Sequence, residues 1–258
     1  MRIPHPYRFH LVLGGTRGIG AAYARSLARQ GAQLHILGRE TESRAAIERE
    51  CRDFGSPEVR TEALDLSIPT MFEDWLNRQG NTRFASVFLG GPSPAPGPSA
   101  RVGRAEHAHA AWVCSALPAM LLQWLRERAS ADDPVELSWL GSSVAGELET
   151  DHEFFLSGLY RRTTGAWLRA VAATADWLRL AVHEPKVVES GMSLAYAAIR
   201  QGHSIEPDPE RTLPAAERAA LRKFLAQHFA VNPVPTADDF IAEWMAKGTR
   251  RWFGLKQQ

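Results

Sequence analysis

The stretch Leu11-Val12-Leu13-Gly14-Gly15-Thr16-Arg17-Gly18-Ile19-Gly20 decides the fold of this chain. A short apolar run ends in a glycine-rich turn, and a helical pattern of small and apolar residues follows at once, from Ala21 to Ala28. The order strand, tight turn, helix is typical of a phosphate-binding unit, because the first N–H groups of the helix are free and its dipole favours an anion.

Three glycines of this turn have separate expected roles. Gly14 lets the chain leave the strand sharply, Gly18 lets the backbone approach a phosphate, and Gly20 lets the helix pack close to the strand. Their spacing, Gly-x-x-x-Gly-x-Gly, resembles the fingerprint of the short-chain dehydrogenase/reductase family, and the resemblance extends from about residue 9 to about residue 192. It implies a nicotinamide dinucleotide cofactor. The turn residues that it implies beside the glycines are Thr16, Arg17 and Ile19.

Composition places the chain among ordinary soluble domains. It has 258 residues, 45% of them hydrophobic, and a net charge of +1, so neither nucleic acid nor a membrane is expected as a partner. Its two cysteines, Cys51 and Cys114, lie far apart without the spacing of metal ligands. The N-terminus has no apolar run of signal-peptide length, and we expect a cytoplasmic protein with a small-molecule substrate.

The apolar periodicity predicts strands that alternate with helices along the whole chain. We therefore expect a single doubly wound (Rossmann) α/β domain over residues 1–258, with a mostly parallel sheet and helices on both faces. Residues 193–235 form a helix-rich insertion, which the resemblance implies is the substrate lid and in which Tyr196 and Arg200 are lid residues. The predicted strands are 11–13, 33–37, 59–64, 84–89, 135–140 and 186–192, with a short seventh at 251–255.

The end of the second predicted strand is where such folds select their cofactor. A carboxylate there accepts hydrogen bonds from the adenosine ribose of NAD, whereas an arginine pairs with the 2′-phosphate of NADP. The chain has Gly38-Arg39-Glu40 there, without an acidic residue at the last strand position, and Arg17 lies in the glycine turn. In the family that it resembles, this pair of arginines indicates NADP(H). Two solvated surface arginines are the alternative.

Three further segments are expected to line the cofactor. Asp65 follows the third predicted strand, where the resemblance implies that it holds the adenine ring, with Leu66 beside it; a helix cap is the alternative for Asp65. Gly90 and Gly91 follow the fourth predicted strand, where the family usually has Asn-Asn-Ala-Gly. The asparagines are missing, but the glycines still allow the backbone to approach a ligand closely.

The catalytic half of the resemblance is broken. The family carries a tyrosine and, four residues on, a lysine on the same helix face. Here Tyr160 is followed four residues on by Thr164, and the chain has no lysine before Lys186. Arg161 and Arg162 are rotated from Tyr160 by about 100° and 200° around the helix, so neither is expected to point where the lysine would.

The other catalytic positions are only partly matched. Ser143 begins the motif Ser-Val-Ala-Gly, and the resemblance implies that it hydrogen-bonds the substrate while Tyr160 acts as general acid. An alternative register, with Tyr160 at the lysine position, leaves Leu156 at the tyrosine position and no intact pair. The family's asparagine is absent, and near the matching stretch lie His107 and His109, for which exposed helix positions are the alternative.

Two classes of function stay open on these grounds. The first is an NADP(H)-dependent oxidoreductase for a small carbonyl or alcohol substrate with an altered site, in which His152 is another candidate acid. The second is a catalytically degenerate protein that binds NADP(H) or another ligand as a sensor, a partner subunit or a non-redox enzyme. The family usually forms dimers or tetramers. Small residues of the catalytic helix that suit such packing are Gly158, Ala166, Ala170 and Ala172.

Overall fold

The computed structural model describes residues 8–91, 103–141, 155–185, 187–202 and 212–248, in which strands alternate with helices. The strands are β1 His10–Leu13, β2 Leu34–Gly38, β3 Val59–Ala63, β4 Ser86–Leu89, β5 Val135–Leu140 and β6 Leu178–His183. The helices are α1 Gly18–Ala28, α2 Thr41–Asp53, α3 Pro69–Gln79, α4 Arg104–Ala111, α5 Leu117–Arg126, α6 Phe155–Thr174, α7 Gly191–Arg200, α8 Ala215–His228 and α9 Ala237–Gly248.

The six strands form one parallel sheet in the order β3-β2-β1-β4-β5-β6. This order reverses between β1 and β4, where Leu13 pairs with Leu37 on one side and with Leu89 on the other. The predicted doubly wound sheet is therefore confirmed. In such sheets the crevice at the carboxyl ends of the strands, at the point of reversal, is the place for a ligand.

Helices cover both faces of the sheet because the strands are apolar on both sides. Leu11 and Leu13 of β1 belong to a core with α3, α5 and α6, whereas Val12 belongs to a second core with α1, α2 and α9. All three side chains are completely buried. The first core is rich in aromatic rings, and Phe72 and Trp75 of α3 are fully enclosed in it. These two cores hold the glycine turn rigidly at the end of β1.

The insertion after β6 contributes helices α7 and α8, which share an apolar cluster of their own. Leu194 and Ala197 of α7 pack there with Leu221 and Leu225 of α8. A hydrogen bond of 2.8 Å between the Tyr196 hydroxyl and the imidazole of His228 also joins the two helices. The predicted helical character of this segment is thus confirmed in its described part.

The prediction of a sixth strand at 186–192 is wrong. The strand lies at Leu178–His183 and pairs in parallel with β5 along its whole length. The apolar pair Val187-Val188 suggested a strand, but the chain there leads only to an isolated bridge between Glu189 and Thr236. Ser190 and Ser193 then begin α7, as the Ser193 hydroxyl accepts a bond from the Ser190 N–H.

Two other expectations about helices are corrected. The region 103–129, which the apolar spacing predicts to contain a long helix, has α4 and α5 separated by a π-helical turn, Trp112–Ala116, and α5 ends at Arg126. Of the small residues proposed to face a second subunit, Gly158 and Ala172 are buried within the chain, whereas Ala166 and Ala170 are exposed. The predicted strand at 251–255 lies outside the described residues.

The stretch Arg104–Arg126 is long and apolar enough to cross a membrane by length and composition. However, half of its most apolar window is buried inside the protein. Leu117, Leu121 and Leu125 pack in the core beneath the sheet. This burial is typical of a core helix, which meets the same criterion.

Candidate functional site

The glycine turn joins β1 to α1 in a conformation that side chains disfavour. Gly14 and Gly18 have positive φ angles of 73° and 51°, where other residues are strained. A Cβ on Gly20 would lie 2.2 Å from the carbonyl oxygen of Gly14, so only glycine allows this contact between helix and turn. Among the described residues, a Cβ on Gly18 would meet the side chain of Ser190 alone, at 3.5 Å. Within this part of the chain, the turn therefore leaves space in front of Gly18 for a ligand.

The first turn of α1 is open to an anion. Arg17 is the N-cap residue, and its side chain makes no capping hydrogen bond. The first turn also has no acidic residue, so its N–H groups and the helix dipole both favour a negative group. Ile19 packs its side chain against the second core, and hence offers only its backbone to this space.

Thr16 explains why β2 ends in a glycine. A Cβ on Gly38 would lie 2.2 Å from the Cγ2 atom of Thr16. No side chain fits at the last position of β2 while Thr16 occupies this place. A ribose-binding carboxylate is thereby excluded from that position by packing.

Each of the two predicted arginines lies beside an acidic residue. Arg17 forms an ion pair with Glu40, and its Nε donates a 3.2 Å bond to the Ser43 hydroxyl. Arg39 is 64% exposed and lies 3.8 Å from a carboxylate oxygen of Asp65. Both arginines thus lie at the carboxyl end of β2, and Arg17 is held there by Glu40 and Ser43.

A third arginine at this end was missed by the sequence analysis. Arg44 donates from its guanidinium to the carbonyl oxygens of Arg39, at 2.6 Å, and Gly38, at 3.1 Å. It thereby binds the carbonyl groups at the end of β2 and fixes the segment that carries Arg39. Its place one turn into α2 was the only signal in the sequence.

Asp65 closes the turn before α3. Its carboxylate accepts bonds from the backbone N–H of Ser67, at 2.9 Å, and from its hydroxyl, at 2.6 Å. Burial raises the pKa of Asp65, but these bonds and Arg39 outweigh it, so the pKa lies below its usual value. These contacts form a local turn before the helix and do not cap it, because Ile68 is the N-cap residue of α3 and makes no side-chain capping bond. Leu66 is buried, and its carbonyl accepts a 2.8 Å bond from the Trp112 indole.

The segment after β4 meets the glycine turn directly. A Cβ on Gly14 would lie 3.4 Å from the backbone nitrogen of Gly91. Gly90 donates its N–H to the carbonyl oxygen of Leu13, at 3.2 Å. The structure thus brings Gly90 and Gly91 together with the turn at the reversal point of the sheet.

The residue four positions after Tyr160 has a structural role. Thr164 is buried, and its hydroxyl donates a 2.6 Å bond to the carbonyl oxygen of Cys114. The Ser115 hydroxyl lies 3.0 Å from the same oxygen of Thr164. These contacts join α6 to the π-helical turn. Tyr160 itself is half-buried on α6.

Arg161 brings a positive charge to the carboxyl end of β5. It is buried, and its guanidinium donates a 2.6 Å bond to the carbonyl oxygen of Leu140, the last residue of that strand. Burial raises the pKa of the Cys114 thiol, and Arg161 opposes this effect. Arg162 is exposed. The position of Arg161 around the helix points its side chain away from the direction of Thr164, as expected. The side chain nevertheless reaches the carboxyl end of β5.

An ion pair at the carboxyl end of β6 was also missed by the sequence analysis. Glu184 directly follows β6, and its carboxylate lies 2.8 Å from the guanidinium of Arg169 on α6. A Cβ on Gly141 or Gly165 would lie 2.9 Å or 3.4 Å from this glutamate side chain. The small residues at both positions allow Glu184 to lie between β5 and α6.

Known proteins resemble this chain in two ways. The sequence profile described as short chain dehydrogenase matches residues 8–81, which contain the glycine turn and the arginines. The very-long-chain 3-oxoacyl-CoA reductase of Mus musculus is 32% identical over 63 residues, which cover 24% of this chain and 20% of that protein. This N-terminal part of the chain is therefore similar to the short-chain dehydrogenase/reductase family. Its aligned part spans only about a fifth of this curated relative.

Solved structures of the family share the fold. L-sorbose reductase from Gluconobacter frateurii, complexed with NADPH and L-sorbose, has a TM-score of 0.74 at 12% identity, over 92% of this chain and 88% of that one. A metagenomic short-chain oxidoreductase in complex with NADP has a TM-score of 0.63 at 22% identity, over 72% and 84%. At these identities, the likeness establishes the family's fold.

The family's catalytic positions are only partly visible in this chain. Ser143 and His152 lie outside the described residues, so their predicted roles stay predictions. Tyr160 lies on α6, and Thr164 replaces the family's lysine in the register of the sequence analysis. The alternative register puts Leu156 at the tyrosine position, where its side chain is 2% exposed in the core. In either register the described residues offer no lysine beside Tyr160.

Proposed function

We propose that this chain is an NADP(H)-dependent oxidoreductase of the short-chain dehydrogenase/reductase family with an atypical catalytic site, acting on a small carbonyl or alcohol substrate. The observation that carries the proposal is the open space in front of Gly18, beside the free N–H groups of α1. Arg17 and Arg39 add two positive charges at the end of β2, where the family places the adenosine ribose. NADPH- and NADP-bound members of the family have the same fold.

The residues present fit such a cofactor. Gly14, Gly18 and the backbone of Ile19 would hold the diphosphate, with Thr16 beside it. Arg17 and Arg39 would pair with the 2′-phosphate, because guanidinium groups bind phosphate in a fork-like geometry. Glu40 must then release Arg17. The remaining proposed contacts are Asp65 and Leu66 at the adenine, and Gly90 and Gly91 along the nucleotide.

The catalytic role falls to residues of the chain other than a lysine. When bound, the nicotinamide supplies the hydride donor or acceptor. Tyr160 would give or take the proton at the substrate oxygen, and Ser143 would hold that oxygen by a hydrogen bond. Arg161, although it does not take the direction of the family's lysine, would provide positive charge at the end of β5. Such a charge favours the ionised phenol and thereby lowers the pKa of a nearby tyrosine.

The test is NADPH oxidation by the whole chain with a panel of aldehydes and ketones. We expect turnover that falls about a hundredfold or more in Tyr160→Phe and Ser143→Ala, while NADPH binding is retained. Arg161→Ala should also lose activity, and Arg162→Ala, with its exposed side chain, is the matched control. NADPH binding without turnover of any substrate would instead favour the degenerate class of function.

We also propose that α7 and α8 form the substrate lid and that the protein assembles as a homodimer or homotetramer in the cytoplasm. Exposed Leu159 and Trp167 support the assembly, since both lie on α6 with Ala166 and Ala170. Light scattering on the purified chain tests the subunit number. Trp167→Glu should shift an oligomer towards monomer if this face is the interface.

A further inference from the structure

A charged cavity adjoins the glycine turn on the side of α8. It has a volume of about 300 Å³ and is lined by Thr16, Arg17 and Gly18 of the turn. The opposite wall carries Arg218 and Arg222 of α8 together with Glu189, which precedes α7. Helix α8 belongs to the insertion rather than to the sheet, so the cavity joins the insertion to the phosphate-binding turn.

Glu189 is the most deeply buried charge in this cavity. Its side chain is 8% exposed, and it forms an ion pair with Arg222, whose side chain is 42% exposed. The backbone of Glu189 is fixed, because its N–H donates a 2.9 Å bond to the Pro235 carbonyl and it bridges to Thr236. The backbone that carries this carboxylate is therefore held in place, and the longer side chain of Arg222 extends from α8 to form the ion pair.

The position of Glu189 conflicts with an anionic ligand at the turn. The next residue, Ser190, has its Cβ 3.5 Å from the Cβ position of Gly18, where the cofactor's diphosphate is proposed. A buried carboxylate so close to a diphosphate is unfavourable unless a positive charge lies between them. Arg222 is the residue that neutralises Glu189. Its guanidinium has five N–H donors, more than one carboxylate accepts.

Arg25, another cation of the cavity, has different contacts. It is engaged by Asp238, at 2.7 Å, and Glu50, at 3.3 Å, in two ion pairs that join α1 to α9 and to α2. The Nε of Arg222, by contrast, is buried without a hydrogen-bond partner among the described residues. A buried donor of this kind calls for an explanation, and a ligand that accepts its hydrogen bond would supply one.

We propose that Arg222 of α8 is a binding residue for the cofactor's diphosphate, and that Glu189 holds its guanidinium at the turn before the cofactor arrives. The proposal rests on the proposed function, because it takes the diphosphate of a dinucleotide as the ligand. It links the insertion to cofactor binding: the same arginine contacts Glu189, the diphosphate and, through α8, the apolar cluster with α7.

The experiment measures binding of NADPH, adenosine 2′-monophosphate and inorganic pyrophosphate to the whole chain by calorimetry. We expect Arg222→Ala to weaken NADPH and pyrophosphate about tenfold or more, while adenosine 2′-monophosphate, which lacks a diphosphate, binds as before. Lys223→Ala, with an exposed side chain on the same helix, is the matched control and should bind all three normally.

A double variant separates binding from mere neutralisation of Glu189. If Arg222 contacts the diphosphate, Arg222→Ala combined with Glu189→Gln stays weak for NADPH and pyrophosphate. If the double variant binds like the unchanged chain, or if Arg222→Ala alone has no effect, the proposal is wrong. Failure of the proposed function looks different, since NADPH would then not bind the unchanged chain. If NADPH does not bind but pyrophosphate binds in a way that Arg222→Ala weakens, this inference is still supported. If neither NADPH nor pyrophosphate binds, both this inference and the proposed function are wrong.

Discussion

Thr164, four residues after Tyr160, donates a 2.6 Å hydrogen bond to the backbone carbonyl of Cys114. The bond joins the middle of α6 to the π-helical turn, and Ser115 adds a second hydroxyl to it. The threonine is only 3% exposed. The position is therefore part of the packing between α6 and the π-helical turn.

Restoring the lysine should damage the protein rather than activate it. Thr164→Lys places a long cation in a buried contact and removes the bond to Cys114, so we expect it to lower the free energy of unfolding by about 2–3 kcal/mol. Thr163→Lys is the matched control, because Thr163 is exposed on the same helix. Urea unfolding measures both. A Thr164→Lys variant that is as stable as the unchanged chain and oxidises NADPH faster would contradict this account.

Alanine at Gly18 should affect ligand binding more than stability. The positive φ of 51° makes the substitution cost about 1–2 kcal/mol, and the new Cβ enters the space proposed for the diphosphate. Gly80→Ala is the control, since Gly80 also has a positive φ, of 52°, and no described residue lies within 4 Å of the added atom. We expect both substitutions to lower the free energy of unfolding, but only Gly18→Ala to lose NADPH binding. Equal NADPH affinities would mean that the turn does not hold the cofactor.

Removing the charge of Glu40 should strengthen NADPH binding. Glu40 competes with the 2′-phosphate for Arg17 and would repel that phosphate. We expect Glu40→Gln to bind NADPH about two- to fivefold more tightly, a gain typical of exposed charges, and the gain should shrink at high salt. Glu42→Gln, an exposed position on the same helix, is the control. Weaker binding in Glu40→Gln would indicate that Glu40 itself accepts bonds from the nucleotide.

Lowering the pH should destabilise the protein already at pH values well above those at which its carboxylates titrate. Burial lowers the pKa of His10 to about 4 and that of His183 to about 4. Folding therefore favours the neutral rings, and their stabilisation is complete above the unfolded value of about 6.5 and is lost as the pH falls towards 4. Each ring should cost about 2 kcal/mol between pH 7 and pH 5.

Urea unfolding at pH 7, 6 and 5 tests this dependence. His183 packs its ring 3.4 Å from the ring centre of Trp244, so His183→Phe should keep the packing and remove its share of the pH dependence. An unchanged slope in that variant would show that His183 titrates normally.

The cofactor half of the fold was predictable from local patterns. The turn could be predicted from Gly14, Gly18 and Gly20, because the backbone conformation of a turn depends on its own residues. The central strands could be predicted from their apolar runs. The sixth strand was misplaced because Val187 and Val188 look like a strand, whereas their pairing with distant chain decides otherwise. No local pattern reports which of two apolar segments lies beside β5.

The catalytic half was less predictable because its contacts join distant parts of the chain. The absence of the lysine was visible in the sequence, but the bond from Thr164 to Cys114 was not. Arg161 was set aside by helical rotation, yet its long side chain reaches Leu140 on β5. Likewise, the pairing of Glu189 with Arg222 depends on how the insertion folds back over the turn.

The central claim is that NADP(H) binds at the glycine turn through Arg17 and Arg39. The most direct measurement is calorimetric titration of NADPH and NADH into the purified chain, with Arg17→Ala and Arg39→Ala beside it. The account predicts tight NADPH binding, poor NADH binding, and a loss of about tenfold or more in each variant for NADPH alone. Failure of both nucleotides to bind at millimolar concentration, or equal binding of both in all three proteins, would contradict it.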